Sequence, residues 1–241
     1  LRGFVDLHCH FVAGIDDGAP TPDEGLAMLE RLHALGFSKV VATPHMRPGM
    51  FDNGREDLIA AFERMQGAVR ARTDLPEVDL SSEHYFDDVV YERLLSGAAL
   101  PYPGGRAVLL EFWGNEFPAV VMHRLFDLRQ RGLLTVIAHP ERYRCLWRSP
   151  EILERLIDSG AAALLDTAAL VGKYGREPQQ CALELLERGL YHAACSDAHR
   201  TADLVEVEKG MHLIAERYGE DEMEFLFDRG PKAILAGERA E

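Results

Sequence analysis

Seven short apolar runs, most of them separated from the next by a longer stretch of helical periodicity, constrain this chain more than any other feature. The runs lie near 4–8 (Phe-Val-Asp-Leu-His), 39–43, 78–82, 107–111, 134–138, 161–166 and 191–195, and they are rich in Val, Leu, Ile and Ala. Near-continuous apolar strands of this kind fit a sheet covered on both faces. Helical patterns run over 22–35, 55–72, 116–131, 150–159, 177–188 and 204–217. Thr21, Pro22 and Glu24 read as a capping box ahead of Leu26, Leu29, Leu32 and Leu35, and Ser149-Pro150 opens the 150–159 helix. Glu220-Asp221-Glu222 reads as the negative start of a terminal helix. Alternating strand and helix means a parallel sheet, because parallel neighbours need a helical crossover. No Ser/Gly-rich linker, charge block or repeat interrupts residues 1–241, so one domain is expected. Seven or eight such units close most economically into a barrel with helices outside. An open doubly wound sheet is the alternative, without the Gly-x-Gly-x-x-Gly turn of a dinucleotide site.

Composition narrows the function classes. With 241 residues, 47% of them hydrophobic, the chain is a soluble globular protein, and no apolar run reaches the length of about 18 residues that spans a bilayer. The opening Leu1-Arg2-Gly3-Phe4-Val5-Asp6 lacks the features of a signal peptide. A net charge of −14, from 40 acidic and 26 basic side chains, disfavours nucleic acid and anionic membranes as partners. Cys9, Cys145, Cys181 and Cys195 contain no Cys-x-x-Cys pair, so neither a zinc ribbon nor a disulfide scaffold is expected, and a reduced cytoplasmic protein is. A cysteine-dependent phosphatase needs Arg six positions after its thiolate; those positions hold Ile15, Glu151, Glu187 and Thr201. That mechanism is rejected.

The chemistry lies where the strands end. Strand one runs into His8-Cys9-His10, followed by Asp16-Asp17-Gly18; strand two runs into His45; later strands end at Glu83, Glu111, His139 and Asp197-Ala198-His199. In a parallel barrel those ends share one mouth. Residues i and i+2 of a strand point the same way, so His8 and His10 can grip one ion. Ordinary strand-end residues would be a mixture of Ser, Thr, Asn, Asp and Lys, whereas five of the ten histidines fall at these ends beside four carboxylates. Imidazole and carboxylate donors without thiolate point to Mn, Fe or Zn. Nine ligands suffice for two or three ions, and three divalent ions outweigh four carboxylates, leaving a positive well suited to phosphate.

Asp6-Leu7-His8-Cys9-His10, Asp16-Asp17-Gly18, Ala42-Thr43-Pro44-His45, His139-Pro140-Glu141-Arg142-Tyr143 and Ser196-Asp197-Ala198-His199 resemble the PHP (polymerase and histidinol phosphatase) superfamily. Gly14-Ile15-Asp16-Asp17-Gly18 and His-Pro-Glu-Arg-Tyr are similar to its bacterial capsular-polysaccharide branch of tyrosine-protein phosphatases. The resemblance runs from about residue 4 to residue 200. It implies an α/β fold, a distorted (β/α)7 PHP barrel with a metal site at the C-terminal ends of its strands. It also implies two or three divalent ions, usually manganese, and action on phosphotyrosine of the kinase that controls exopolysaccharide export. By motif, His8, His10, Glu83 and Asp197 would hold one ion; Glu83, Glu111 and His139 a second, with Glu83 bridging; Asp17, His45 and His199 a third. Arg142 would contact substrate phosphate. The position of the family's second phosphate-binding arginine is Leu204 here, which leaves two readings open: Arg200 substitutes for it, or substrate preference has shifted. Asp166 stands where the family often has Asn.

The expected reaction is phosphomonoester hydrolysis by activated hydroxide, without a covalent intermediate. Competing readings are a small-molecule phosphatase of histidinol-phosphate type, a metal-dependent nuclease or phosphodiesterase, and a docking domain without catalysis. The nuclease keeps a local argument in the basic strip of Arg142, Arg144 and Arg148, while the docking domain has no support from the ligand set. Homo-oligomerisation is left open. His33, His84, His123, His192 and His212 match no motif and are expected at the surface or in packing. Tyr143, Phe86, Trp113 and Trp147 are candidates to line the mouth and stack on a phosphotyrosine ring.

Overall fold

A computed structural model describes residues 2–112, 115, 117 and 119–240. The strands are β1 (Phe4–Cys9), β2 (Phe37–Ala42), β3 (His45–Met46), β4 (Glu77–Leu80), β5 (Glu83–Tyr85), β6 (Ala107–Glu111), β7 (Leu134–Ala138), β8 (Ala162–Asp166) and β9 (Ala193–Cys195). Helices α1 (Pro22–Ala34), α2 (Arg55–Arg70), α3 (Asp88–Ser96), α4 (Val121–Gln130), α5 (Glu151–Asp158), α6 (Arg176–Glu187) and α7 (Leu204–Tyr218) separate or follow them. Two short helices, α8 (Glu220–Glu224) and α9 (Gly230–Leu235), end the chain on either side of a π-helical turn at Phe225–Arg229. Every strand pairing is parallel, in a three-stranded sheet β1-β2-β4 and a six-stranded sheet β3-β5-β6-β7-β8-β9.

The expected strands at 39–43 and 78–82 appear as β2 and β4, and each is followed after a short break by a further strand, β3 or β5, that the apolar pattern does not mark. Between β2 and β3 the chain passes Thr43-Pro44, and proline cannot donate to a ladder. Between β4 and β5 it passes Ser81-Ser82, and the Ser82 hydroxyl donates to the Pro44 carbonyl at 2.7 Å. The pairings on the two sides of this double break fall into different sheets. Beyond β9, the Asp197 amide donates to the His8 carbonyl and the His10 amide to the Ala198 carbonyl, both at 2.9 Å, linking the last strand's exit to β1.

The period of two along each strand separates two cores. Val5, Leu7, Val41, Ala107, Leu109, Val136, Ala138, Ala162, Leu164, Ala193 and Cys195 gather on one face with Tyr102 and Ile234. Their neighbours, such as Val40, Val108, Leu110, Ile137, Ala163, Leu165 and Ala194, pack outward against the helices. Continuing the inward parity past Leu109, Leu164 and Cys195 leads to Glu111, Asp166 and Asp197. The polar cluster therefore caps the inner apolar core at the strands' C-terminal ends.

The helix signals are partly as expected. The Thr21 hydroxyl accepts the Glu24 amide at 3.3 Å, but the Glu24 carboxylate accepts the Thr201 amide at 2.8 Å, tying α1 to the segment before α7. The pattern over 116–131 yields a helix only from Val121, and residues 116 and 118 lie outside the described part. Helix α3 was not foreseen, although Asp87 caps it through the Val90 amide at 2.8 Å and Gly97 ends it in the left-handed conformation. No helix among the described residues is long and apolar enough to cross a membrane.

Candidate metal centre

The nine residues expected as ligands converge. Four overlapping groups bring their donor atoms within 4.8 Å of one another: His10, Asp17, His45 and His199; His8, His10 and Asp197; His8, Glu83 and His139; and His45, Glu83 and Glu111. Glu83 lies at the centre. One of its oxygens is 2.9 Å from His139 Nε2, and the other is 3.0 Å from His45 Nδ1, 3.3 Å from His8 Nε2 and 3.5 Å from His10 Nε2. His10 joins the Asp17 group as well as the His8 group, and Glu111 gathers with His45 rather than with His139.

Backbone geometry aims two of these side chains. Among the described residues other than glycine, only His139 (φ 32°) and Asp197 (φ 43°) have positive φ. Such conformations cost energy and persist where the surroundings enforce them. Here both fall where a strand hands over to a loop at the centre.

Residues that the sequence reading did not single out support the centre from behind, Asp16 and Asp6 at the ligands and Glu141 at Asp166. Asp16 accepts from His10 Nδ1 at 2.8 Å and from the His45 and Gly18 amides at 3.0 and 2.8 Å. This fixes the His10 proton on Nδ1 and leaves Nε2 for the centre. Asp6, fully buried, accepts the His8 and Ser196 amides at 3.2 and 3.1 Å; burial pushes its carboxyl up to about 6. Glu141 accepts the Asp166 amide at 3.0 Å and the Tyr191 hydroxyl at 2.9 Å, and burial together with Asp166 pushes it up to about 8. In sequence the only signal for these groups was adjacency to a ligand motif.

The electrostatics report a demand for positive charge. Burial alone would lower His8, His10 and His45, yet the surrounding carboxylates outweigh it and raise all three. Burial also opposes ionisation of Glu83 and Asp197, but their histidine neighbours hold both well below the usual carboxylate range. Glu111 goes the other way, pushed up to about 7 by burial and by Glu83 beside it. His139 is pushed down to about 4 by burial and by Arg142. His45 Nδ1, which faces Glu83, and Glu111 Oε2 and Asp197 Oδ1 are buried without a directed hydrogen bond. Orphaned donor and acceptor atoms around crowded carboxylates fit divalent cations, and mixed imidazole and carboxylate sets suit several such ions.

Arg142 borders the cluster. Its Nη1 donates to Asp197 Oδ2 at 2.5 Å and lies 3.7 Å from Asp166, and its guanidinium sits 4.7 Å from the centre of the Tyr174 ring. Arg200, expected to contact phosphate, is placed differently. Its Nη1 donates to the carbonyls of Asp17 and His199, each at 2.7 Å, and to that of Gly18. It thereby ties together the two loops that carry Asp17 and His199.

The remaining expectations divide. Tyr143 is buried, its hydroxyl donating to the Ala138 carbonyl at 2.8 Å and accepting the Phe112 amide, so it packs instead of lining the mouth. Phe86 is buried too, and Trp147 donates its indole N–H to the Glu141 carbonyl at 2.9 Å. Trp113 lies outside the described residues. His84 and His192 are buried in packing, whereas His33, His123 and His212 are not. Cys9 and Cys195 are fully buried, with thiols raised by burial, the opposite of an activated nucleophile.

Comparison with known proteins adds a family to this geometry. The tyrosine-protein phosphatase YwqE of Bacillus subtilis (strain 168) is 26% identical over 233 residues, spanning 96% of this chain and 91% of its own. The tyrosine-protein phosphatase CpsB of Streptococcus pneumoniae is 26% identical over 237 residues, spanning 96% of this chain and 98% of its own. A crystal structure from work on YwqE and CpsB, described as metal-dependent tyrosine phosphatases, superposes with a TM-score of 0.87 at 24% identity, covering 98% of this chain and 96% of that one. A model of the capsular polysaccharide synthesis family CpsB/CapC matches residues 4–236, and the chain belongs to that family.

Proposed function

We propose that this protein is a metal-dependent phosphomonoester hydrolase that removes phosphate from tyrosine side chains of a protein, a bacterial tyrosine kinase being the expected partner. The observation that carries this reading is the convergence of nine imidazole and carboxylate side chains into overlapping groups with orphaned buried donor atoms. The proposed frame is one cytoplasmic domain, a distorted seven-stranded barrel closed through the β9-to-β1 hydrogen bonds.

In the assignment that the resemblance implies, His8, His10, Glu83 and Asp197 would hold one cation, Glu83, Glu111 and His139 a second, and Asp17, His45 and His199 a third, with manganese the expected metal; the donor grouping departs from it in setting Glu111 beside His45 instead of His139. Divalent cations in such a centre supply Lewis acidity toward a phosphoryl group and acidify water toward neutrality. The chain's own residues do the rest. Arg142 offers a fork of donors to the equatorial oxygens of the transferring group, and Asp166 and Tyr174 keep that fork in place. Asp16 and Asp6 orient His10 and the His8 backbone, so the ligands need not reorganise when substrate arrives. Arg200 holds the Asp17 and His199 loops at a fixed separation. A phenolate leaving group, with a pKa of about 10, needs only modest help to depart. The buried cysteines take no part.

The test is elemental analysis of the purified protein, coupled to turnover of a phosphotyrosine peptide with and without added Mn. Multiple ions per chain and Mn-dependent release of phosphate are expected. A protein that holds its metals but prefers histidinol phosphate or a phosphodiester over the peptide would overturn the substrate assignment.

A further inference from the structure

Beside the centre lies a cavity of about 350 Å³ whose walls include Arg47, Tyr85, Glu111, Phe112, Arg142 and Arg144. Arg142 was expected there. Arg47 was not, and its setting parallels that of Arg142. It stands two residues beyond His45, in a turn held by backbone hydrogen bonds to and from Phe51 at 3.1 and 2.8 Å. Its guanidinium carbon lies 4.3 Å from the centre of the Tyr85 ring, a seat that fixes its plane while leaving its edges free to donate. One Nη is 3.7 Å from Glu111, beyond hydrogen-bond reach but close enough to feel its charge.

Each of the two guanidiniums therefore rests on a tyrosine ring and borders one carboxylate of the centre, Arg142 beside Asp197 and Arg47 beside Glu111. A carboxylate shared with a divalent cation compensates a neighbouring guanidinium less, so both arginines are then left with unmatched positive charge facing one cavity. Two such charges, each with planar donors, match the dianion of a phosphate monoester. Arg200 cannot serve in the same way while its Nη1 is held by three carbonyls, and Leu204 is apolar and fully buried.

We propose that Arg47 is the second phosphate-binding residue of this protein, gripping the phosphate of a monoester together with Arg142. The inference takes its substrate class from the proposed function, but its test does not need turnover. Inorganic phosphate is titrated by calorimetry into the Mn-loaded full chain and into its Arg47→Ala and Arg47→Lys variants, with Mn per chain measured in each. Arg47→Ala is expected to weaken phosphate binding about 10- to 100-fold at unchanged Mn content. Arg47→Lys should recover part of the loss, since it keeps the charge but not the fork. With an aryl phosphate as substrate, KM should rise more than kcat falls. A phosphate affinity in Arg47→Ala within twofold of the parent, a parent that binds no phosphate, or Mn loss in Arg47→Ala that accounts for the weakening would each overturn the proposal. If phosphate binding depends on Arg47 and yet no phosphotyrosine peptide is hydrolysed, the proposed function fails while this assignment stands.

Discussion

His10 turns Nδ1 to the Asp16 carboxylate at 2.8 Å while its Nε2 stands 3.1 Å from His8 Nε2. One side of the ring is thus fixed and the other presented. A carboxylate behind a ligating imidazole sets its tautomer and raises its basicity, and its loss typically costs 10- to 100-fold in metal affinity. Asp16→Ala should therefore weaken the cation that His10 would hold by about that factor, with the fold retained. Metal titration followed by circular dichroism checks both halves of the expectation.

Glu83 has a wider reach, because its two oxygens touch His8, His10, His45 and His139. Glu83→Ala should abolish turnover and release more than one ion per chain. Full metal occupancy in that variant would remove Glu83 from its bridging role. Glu83→Gln, which keeps the volume but not the charge, should retain the fold and still lose metal, separating ligation from packing.

How much of this was legible in the sequence depends on what a residue does. His8, His10, His45, His139 and Asp197 stood out because imidazole and carboxylate groups recur at strand ends for few reasons other than binding a cation. Asp6 and Asp16 carry equal structural weight but did not stand out, since an aspartate that receives backbone amides looks in sequence like an exposed one. Arg47 was illegible for a related reason: its seat on Tyr85 and its approach to Glu111 join residues far apart in the chain. The carbonyls that Arg200 meets were not legible, because Asp17 and Gly18 belong to a loop more than 180 residues earlier. The two extra strands β3 and β5, which follow the second and third expected ones, begin after Pro44 and Ser82, whose carbonyl and hydroxyl meet in a tertiary pairing that periodicity does not register.

Away from the centre, His192 makes acid sensitivity testable. It is buried just before β9, Nδ1 accepting the Ala163 amide at 3.2 Å, and burial followed by the Arg239 charge pushes it down to about 4. Above about pH 6.5 it is neutral folded or unfolded and contributes no pH dependence. Between about 6.5 and about 4 the unfolded chain takes up a proton that the folded chain refuses, so stability falls as pH falls, by an order of 2–3 kcal/mol in all. His192→Gln should remove that part of the slope. Urea unfolding at pH 7 and pH 4.5, with chelator present throughout so that metal release does not intrude, should show the parent losing more than the variant.

Gly18 sits where the loop bearing Asp17 passes closest to β1's exit. A Cβ at that position would lie 2.2 Å from the His10 carbonyl oxygen, 2.5 Å from the His10 Cβ and 2.8 Å from Asp16 Oδ1. The first of these atoms is backbone and already accepts the Ala19 amide at 2.9 Å, so neither partner can yield without moving the loop. Any movement also disturbs the Gly18 carbonyl that receives Arg200 and the amide that donates to Asp16. The cost to folding should stay near 1–3 kcal/mol, because the inner and outer apolar cores are untouched. The cost to the centre should be larger. Gly18→Ala is expected to fold, to lose about one cation per chain from the Asp17, His45 and His199 group, and to lose most of its turnover. Thermal unfolding and elemental analysis of the same preparation check this together: an unchanged metal count with normal activity would mean that the loop accommodates the methyl group and that its close approach to His10 does not set the site.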